Sequence, residues 1–231
     1  GFSWYPVGDG RTVLRGGVGT FSQNPQLNIG LIAGLMAAMD IRTIIYPNYP
    51  DPFKPNPFFP SIPGQIPVDK YSTEPNLVPP FSVQMTLGGE RQLFPDFSFG
   101  LDLVWTKGYK FTRLENLNPV IPGTRNQRKD PTKGNQWTFT DNGRSDYKGL
   151  YLTITKRFSH GWGLDVAYTL SQSKADVETE QTSCWSYDED AWERQFGPTY
   201  NDARHRLAIS GIFNLPLGFQ VSGLFYYRSK L

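Results

Sequence analysis

"YLTITKRFSHGWGLDVAYTL", residues Tyr151 to Leu170, decides how the chain has to be read. Its second half alternates without a break. Trp162, Leu164, Val166, Tyr168 and Leu170 fall on one face of an extended chain, and Gly163, Asp165, Ala167 and Thr169 fall on the other. In the first half Leu152 and Ile154 alternate with Tyr151, Thr153 and Thr155, and Ser159-His160-Gly161 between the halves reads as a tight turn. The stretch is therefore a β-hairpin with one apolar face and one small or polar face.

The same pattern recurs outward from it, giving seven candidate strands. They are Arg11 to Phe21, Phe81 to Gln92, Phe97 to Tyr109, Tyr147 to Phe158, Trp162 to Ser173, Ala203 to Asn214 and Phe219 to Arg228. The last six pair through short turns at Phe94-Pro95-Asp96, Ser159-His160-Gly161 and Leu215 to Gly218. The pairs are joined by long connections at about 22–80, 110–146 and 174–202. In an antiparallel meander, strict alternation of short and long connections sends every short turn to one end of the sheet and every long loop to the other.

Composition agrees with many strands and turns: 15% of residues are aromatic, and there are 23 Gly and 19 Pro. A net charge of +2, spread along the chain without a basic block, argues against a nucleic-acid partner. Cys184 is the single cysteine, so no disulfide framework or CxxC metal site exists. The longest apolar run, Ile29 to Met39, has about half of the roughly 20 residues that a spanning helix needs.

Two solvents could meet the apolar face. In a soluble β-sandwich the faces would cover each other. In a membrane barrel they would meet lipid, and strands of ten or more residues match the roughly 9 to 11 needed to cross a bilayer at a tilt. Aromatic residues near strand ends (Trp105, Tyr109, Phe158, Trp162, Phe213, Phe219, Tyr226 and Tyr227), together with loops long at one end only, favour the barrel. Asp102, Asp165, Arg206 and Gln220 then point into a polar lumen. The expected fold is all-β, an antiparallel up-and-down meander forming part of a larger transmembrane barrel. The absence of an initiator Met and of a leader agrees with a fragment.

"GRTVLRGGVGTF" (Gly10 to Phe21), "PPFSVQMTLGGERQL" (Pro79 to Leu93), "YLTITKRFSHGWGLDVAYTLSQS" (Tyr151 to Ser173) and "NDARHRLAISGIFNLP" (Asn201 to Pro216) resemble the barrel of TonB-dependent outer-membrane receptors. The resemblance is to the Oar-like group, whose members often carry a carboxypeptidase-regulatory-like domain. It implies a barrel of about 22 strands around an N-terminal plug. It also implies a place in the bacterial outer membrane and import of a ligand driven through TonB. The plug and the TonB-contacting region would belong to an N-terminal part missing here. Expected partners are outer-membrane lipid, the TonB complex and an unidentified imported ligand such as an oligosaccharide, peptide or metal chelate. A non-transporting adhesion or structural barrel is the alternative within the membrane.

Candidate binding residues lie in the long loops. Most of the 19 prolines fall in the first, which suits an extended loop without strands of its own, and Tyr46, Tyr49, Phe53 and Phe58 among them could grip a ligand. In the third loop Trp185, Tyr187 and Trp192 stand beside Asp188 and Asp190, as in a sugar site. Those acids lack the spacing of a calcium loop. His160 and His205 have no triad or zinc partners in sequence, and the "GGVG" of Gly16 to Gly19 lacks the Lys and helix of a phosphate loop. No catalytic residue, metal site or cofactor is expected, and the chain is not read as an enzyme.

Overall fold

The computed structural model describes residues 1–23, 30–31, 34–36, 38–39, 67–124, 127–177 and 196–230. Its strands are β1 (Phe2–Trp4), β2 (Thr12–Ser22), β3 (Lys70–Thr73), β4 (Phe81–Phe94), β5 (Phe97–Asn116), β6 (Gln136–Ser159), β7 (Trp162–Ala175), β8 (Gly197–Pro198), β9 (His205–Asn214) and β10 (Gln220–Arg228). They join in one sheet in the order β1-β2-β4-β5-β6-β7-β9-β10, with β3 beside β6 and β8 beside β7. Every pairing is antiparallel except that of β3 with β6. The sheet is open between β1 and β10.

The seven long strands are those expected from alternation, and tight turns join them at one end. Between β6 and β7, His160 and Gly161 both take positive φ, 52° and 85°, as a two-residue turn matched to strand twist requires. Pro95 and Asp96 join β4 to β5, and a single 3-10 turn at Pro216–Gly218 joins β9 to β10.

Register carries the alternation across the whole sheet, because directly opposed residues share a face. One row runs Leu14, Gly89, Leu101, Leu152, Tyr168, Leu207, Tyr227 from β2 to β10. No second sheet covers this face among the described residues: Leu87, Leu103 and Phe225 are 54%, 43% and 56% exposed. The sandwich alternative required that cover and does not have it.

The loops depart from expectation at three places. Much of 110–146 is strand, because β5 runs on to Asn116 and β6 begins at Gln136. A bulge at Lys110, which takes a positive φ of 62°, shifts the register as this hairpin leaves the band of strict alternation. Beyond the band the two faces no longer meet different solvents, so alternation fades and the sequence signal fades with it. The proline-rich segment also contains β3, and the third loop contains β8; both are too short to show a period and exist because β6 and β7 offer them an edge.

The buried apolar cluster lies in this extension. Tyr71, Leu114, Trp137 and Phe139 pack together, with Met36 and Leu77 against them. No helix among the described residues is long and apolar enough to cross a membrane.

Candidate functional site

One residue from the apolar row lies a polar one. Arg15, Gly88, Asp102, Tyr151, Thr169, Arg206 and Arg228 are opposed in succession across β2, β4, β5, β6, β7, β9 and β10. Strand period two puts this row on the opposite face, the one that lines a lumen if the apolar face meets lipid. A slip of one residue in any pairing would exchange the two rows, so whatever takes up the apolar face also fixes the polar groups on the other.

Arg15 and Asp102 sit on β2 and β5 with β4 between them. The Arg15 guanidinium donates from Nη2 to both carboxylate oxygens, at 3.1 and 3.0 Å, and from Nε to Oδ1 at 3.2 Å. The bridge can form because Gly88 stands between: a Cβ there would collide with the Asp102 carboxylate. Both side chains remain partly exposed, which keeps the pair a fixed but hydrated feature of the wall. On β6, the hydroxyls of Tyr147 and Tyr151 lie 2.5 Å apart over Gly149, whose lack of a side chain leaves room for both rings. Arg206 and Arg228 both donate to the Asn201 carbonyl, at 3.3 and 3.0 Å. Asp165 and Gln220 share the face as the sequence implied, and Gln220 donates to Asn214 at 2.9 Å.

At the short-turn end the wall is anchored by Lys156. Its ammonium meets Asp96 at 2.6 Å and Ser159 Oγ at 2.5 Å, and stands 4.7 Å from the centre of the Trp162 ring. The Lys156 contact, then the Ser159 hydroxyl, hold the Asp96 carboxyl down at about 2. A lysine whose stem lies on the apolar face and whose head is pulled to a turn carboxylate suits a membrane interface.

At the other end the β5–β6 extension forms a cap held by polar side chains. Buried Asn118 donates to the carbonyls of Asp130, Lys133 and Gly134 at 2.9, 3.2 and 3.0 Å, and accepts from the Asp130 N–H at 2.9 Å. Asp69, just before β3, accepts from the Asn135 N–H at 2.5 Å and from Asn135 Nδ2 at 2.9 Å, which clamps the proline-rich segment to the cap. Lys133, then Thr132, keep Asp130 at about 2. Burial pushes the Tyr71 hydroxyl up, with Asp69 adding to it. Burial also pushes Asp141 up, but bonds from Lys110 and the Val78 N–H outweigh it and leave it lowered. Buried Asp176 lies 3.6 Å from Arg113 and 3.3 Å from Arg144, tying β5 and β6 to the end of β7.

Tyr46, Tyr49, Phe53, Phe58, Trp185, Tyr187, Asp188, Asp190 and Trp192, the loop residues singled out from sequence, lie outside the described residues. Arg15, Tyr147, Tyr151, Arg228 and Asn118 were not singled out. The parity that placed Asp102 and Arg206 in the lumen would have placed the first four there too; nothing local marks the Asn118 side chain, whose partners Asp130, Lys133 and Gly134 are distant in sequence. Among the described residues no group of three His, Cys, Asp or Glu gathers as a metal site would.

Residues 1–224 match the family described as outer membrane beta barrel domain. The chain belongs to that family. This outer membrane β-barrel domain therefore lies in the outer membrane, and its uncovered apolar face meets lipid. Its fold is similar to that of the outer membrane transporter YddB from Escherichia coli, with a TM-score of 0.61 at 8% identity over 98% of this chain. The likeness at that identity is one of fold, and the chain spans 27% of the transporter's length. No curated protein matches the sequence.

Proposed function

We propose that this domain is part of the wall of a TonB-dependent receptor of the Oar-like kind, which captures a ligand outside the cell and passes it through the lumen. The observation that carries the reading is the polar row running across seven strands one residue from the lipid-facing row. A barrel that served only to display loops would gain nothing from arginines held by Asp102 and the Asn201 carbonyl, and tyrosines held by each other, along its inner wall. Arg15, Arg206 and Arg228 outnumber Asp102 in the row, so the wall suits a polar ligand with acidic groups, such as an anionic chelate, an acidic oligosaccharide or a peptide. The work on this reading is binding and passage, with energy from the TonB complex and no bond chemistry in the wall.

Further strands have to complete the wall, because in hydrocarbon the edges at β1 and β10 would leave backbone groups without partners. The test uses the full-length protein in its own outer membrane, with candidate ligands screened by uptake in cells with and without TonB. Uptake that disappears on loss of TonB, and falls in Arg206→Gln/Arg228→Gln, supports the reading. Ligand binding unaffected by TonB, with no uptake in either strain, would leave the adhesion barrel instead.

A further inference from the structure

Arg206 and Arg228 are directly opposed on β9 and β10, on the lumen face, and both are exposed. They send Nη2 to the same acceptor, the Asn201 carbonyl, at 3.3 and 3.0 Å. The two guanidiniums therefore stand side by side, an arrangement that like charges oppose. No carboxylate offsets either of them among the described residues. Asp102, in the same row, is taken by Arg15, and Asp202, next to Asn201, accepts from the Ser173 N–H at 3.0 Å. Asp165 opposes Ser210, further along β9 toward the short turns. The wall around the pair is low: Thr169 opposes Arg206, with Ala167 and Ala208 two residues nearer the short turns. Asn201 lies in the segment that leads from the third long loop into β9, so the pair stands at the long-loop mouth of the lumen.

We propose that Arg206 and Arg228 form a clamp for a phosphate monoester group on the ligand. The proposal rests on the reading of the domain as a receptor wall, and it narrows the acidic ligand to one chemical class. Above its second pKa of about 6 a phosphate monoester carries close to two negative charges, which match two guanidiniums, and its terminal oxygens accept from both forks at once. A carboxylate is planar and singly charged. One guanidinium satisfies it through a bidentate pair, and the second cation stays uncompensated. Asn201 holds the two cations together before any ligand arrives, so the repulsion between them is already present in the empty protein and is relieved by a dianion. Arg15 is the contrast within the row: three hydrogen bonds already bind it to Asp102.

Isothermal titration calorimetry on the purified full-length protein, in a non-ionic detergent at pH 8 and without TonB, tests this with glucose 6-phosphate, glucuronate and glucose. Glucose 6-phosphate is expected to bind roughly tenfold tighter than glucuronate, and glucose to give no signal. Arg206→Gln/Arg228→Gln should bring the phosphate down to the level of glucuronate, whereas Arg91→Gln, opposite Phe99 on the lipid face, should change nothing. No binding of glucose 6-phosphate, or equal affinity for phosphate and carboxylate, would overturn the proposal. So would an unchanged preference in the double variant. If that variant no longer migrates as a folded barrel before boiling, Thr169→Glu decides, because it sets a carboxylate opposite Arg206: lost phosphate binding supports the clamp and unchanged binding overturns it. Phosphate preference without TonB-dependent uptake would keep the clamp and remove the transport reading; TonB-dependent uptake without the preference would do the reverse.

Discussion

The wall and the cap are built from one pair of strands, β5 and β6, yet they are stabilised in opposite ways. Up to Tyr109 the hairpin shows Leu103 and Trp105 outward and keeps them exposed, because the solvent for that face is lipid. Past the Lys110 bulge the same two strands bury Leu114, Trp137 and Phe139 against Tyr71, and the side chains of Asn116 and Asn118 satisfy backbone groups there. The cap has a core of its own; among the described residues the wall has none, and borrows the bilayer for it. What changes at the bulge is the solvent, and the packing logic changes with it.

The largest effect that separates the two regions is expected from Phe139→Ala. Truncating this buried ring should cost about 3–5 kcal/mol within the cap. Hydrogen exchange should show β3 and residues 110–146 losing protection while the barrel still migrates faster before boiling. Loss of the heat shift as well would mean that the wall depends on the cap. Next comes a pair of substitutions one residue apart: Leu152→Arg, on the lipid face, should cost about 2–4 kcal/mol in urea unfolding from lipid vesicles. Thr153→Arg, on the lumen face, should cost well under half as much. Equal costs would break the assignment of faces.

Asn118→Ala removes a side chain that serves three carbonyls and one N–H, and each group left buried without a partner costs about 1–3 kcal/mol before water enters. Limited proteolysis should then cut between residues 117 and 135 with the wall intact. The smallest effect is set by pH. Asp96 at the wall's turns and Asp130 in the cap are both held near 2 in the folded protein, below the ordinary carboxylate value. Their contribution is therefore present above about pH 4 and fades as pH falls toward 2. Amide exchange followed from pH 5 to 2 should show both turns loosening only at the acid end; loosening near pH 4 would mean that the Lys156 and Lys133 contacts do not hold in solution.

The wall was legible residue by residue, since each lipid-facing position declares itself against its neighbour. Asp102, Asp165, Arg206 and Gln220 were assigned to the lumen by parity alone and lie there. Arg15 was within reach of the same rule, but that it bridges to Asp102 over β4 depends on Gly88, and no local pattern joins positions 15, 88 and 102. The cap was read as loop for a related reason: polar side chains such as Asn116, Asn118 and Asp69 look like turn residues in sequence, and become structural only when a distant backbone presents its groups to them.

By itself, then, the chain determined its strands, its tight turns and which face meets lipid, because period two and strand length are local and the bilayer acts on each residue separately. Tertiary structure alone decided the register that aligns Arg15 with Arg228 in one row, the parallel docking of β3 and the core of the cap. Each of these rests on contacts between residues far apart in sequence, whose free energy appears only once the chain has closed the loops between them.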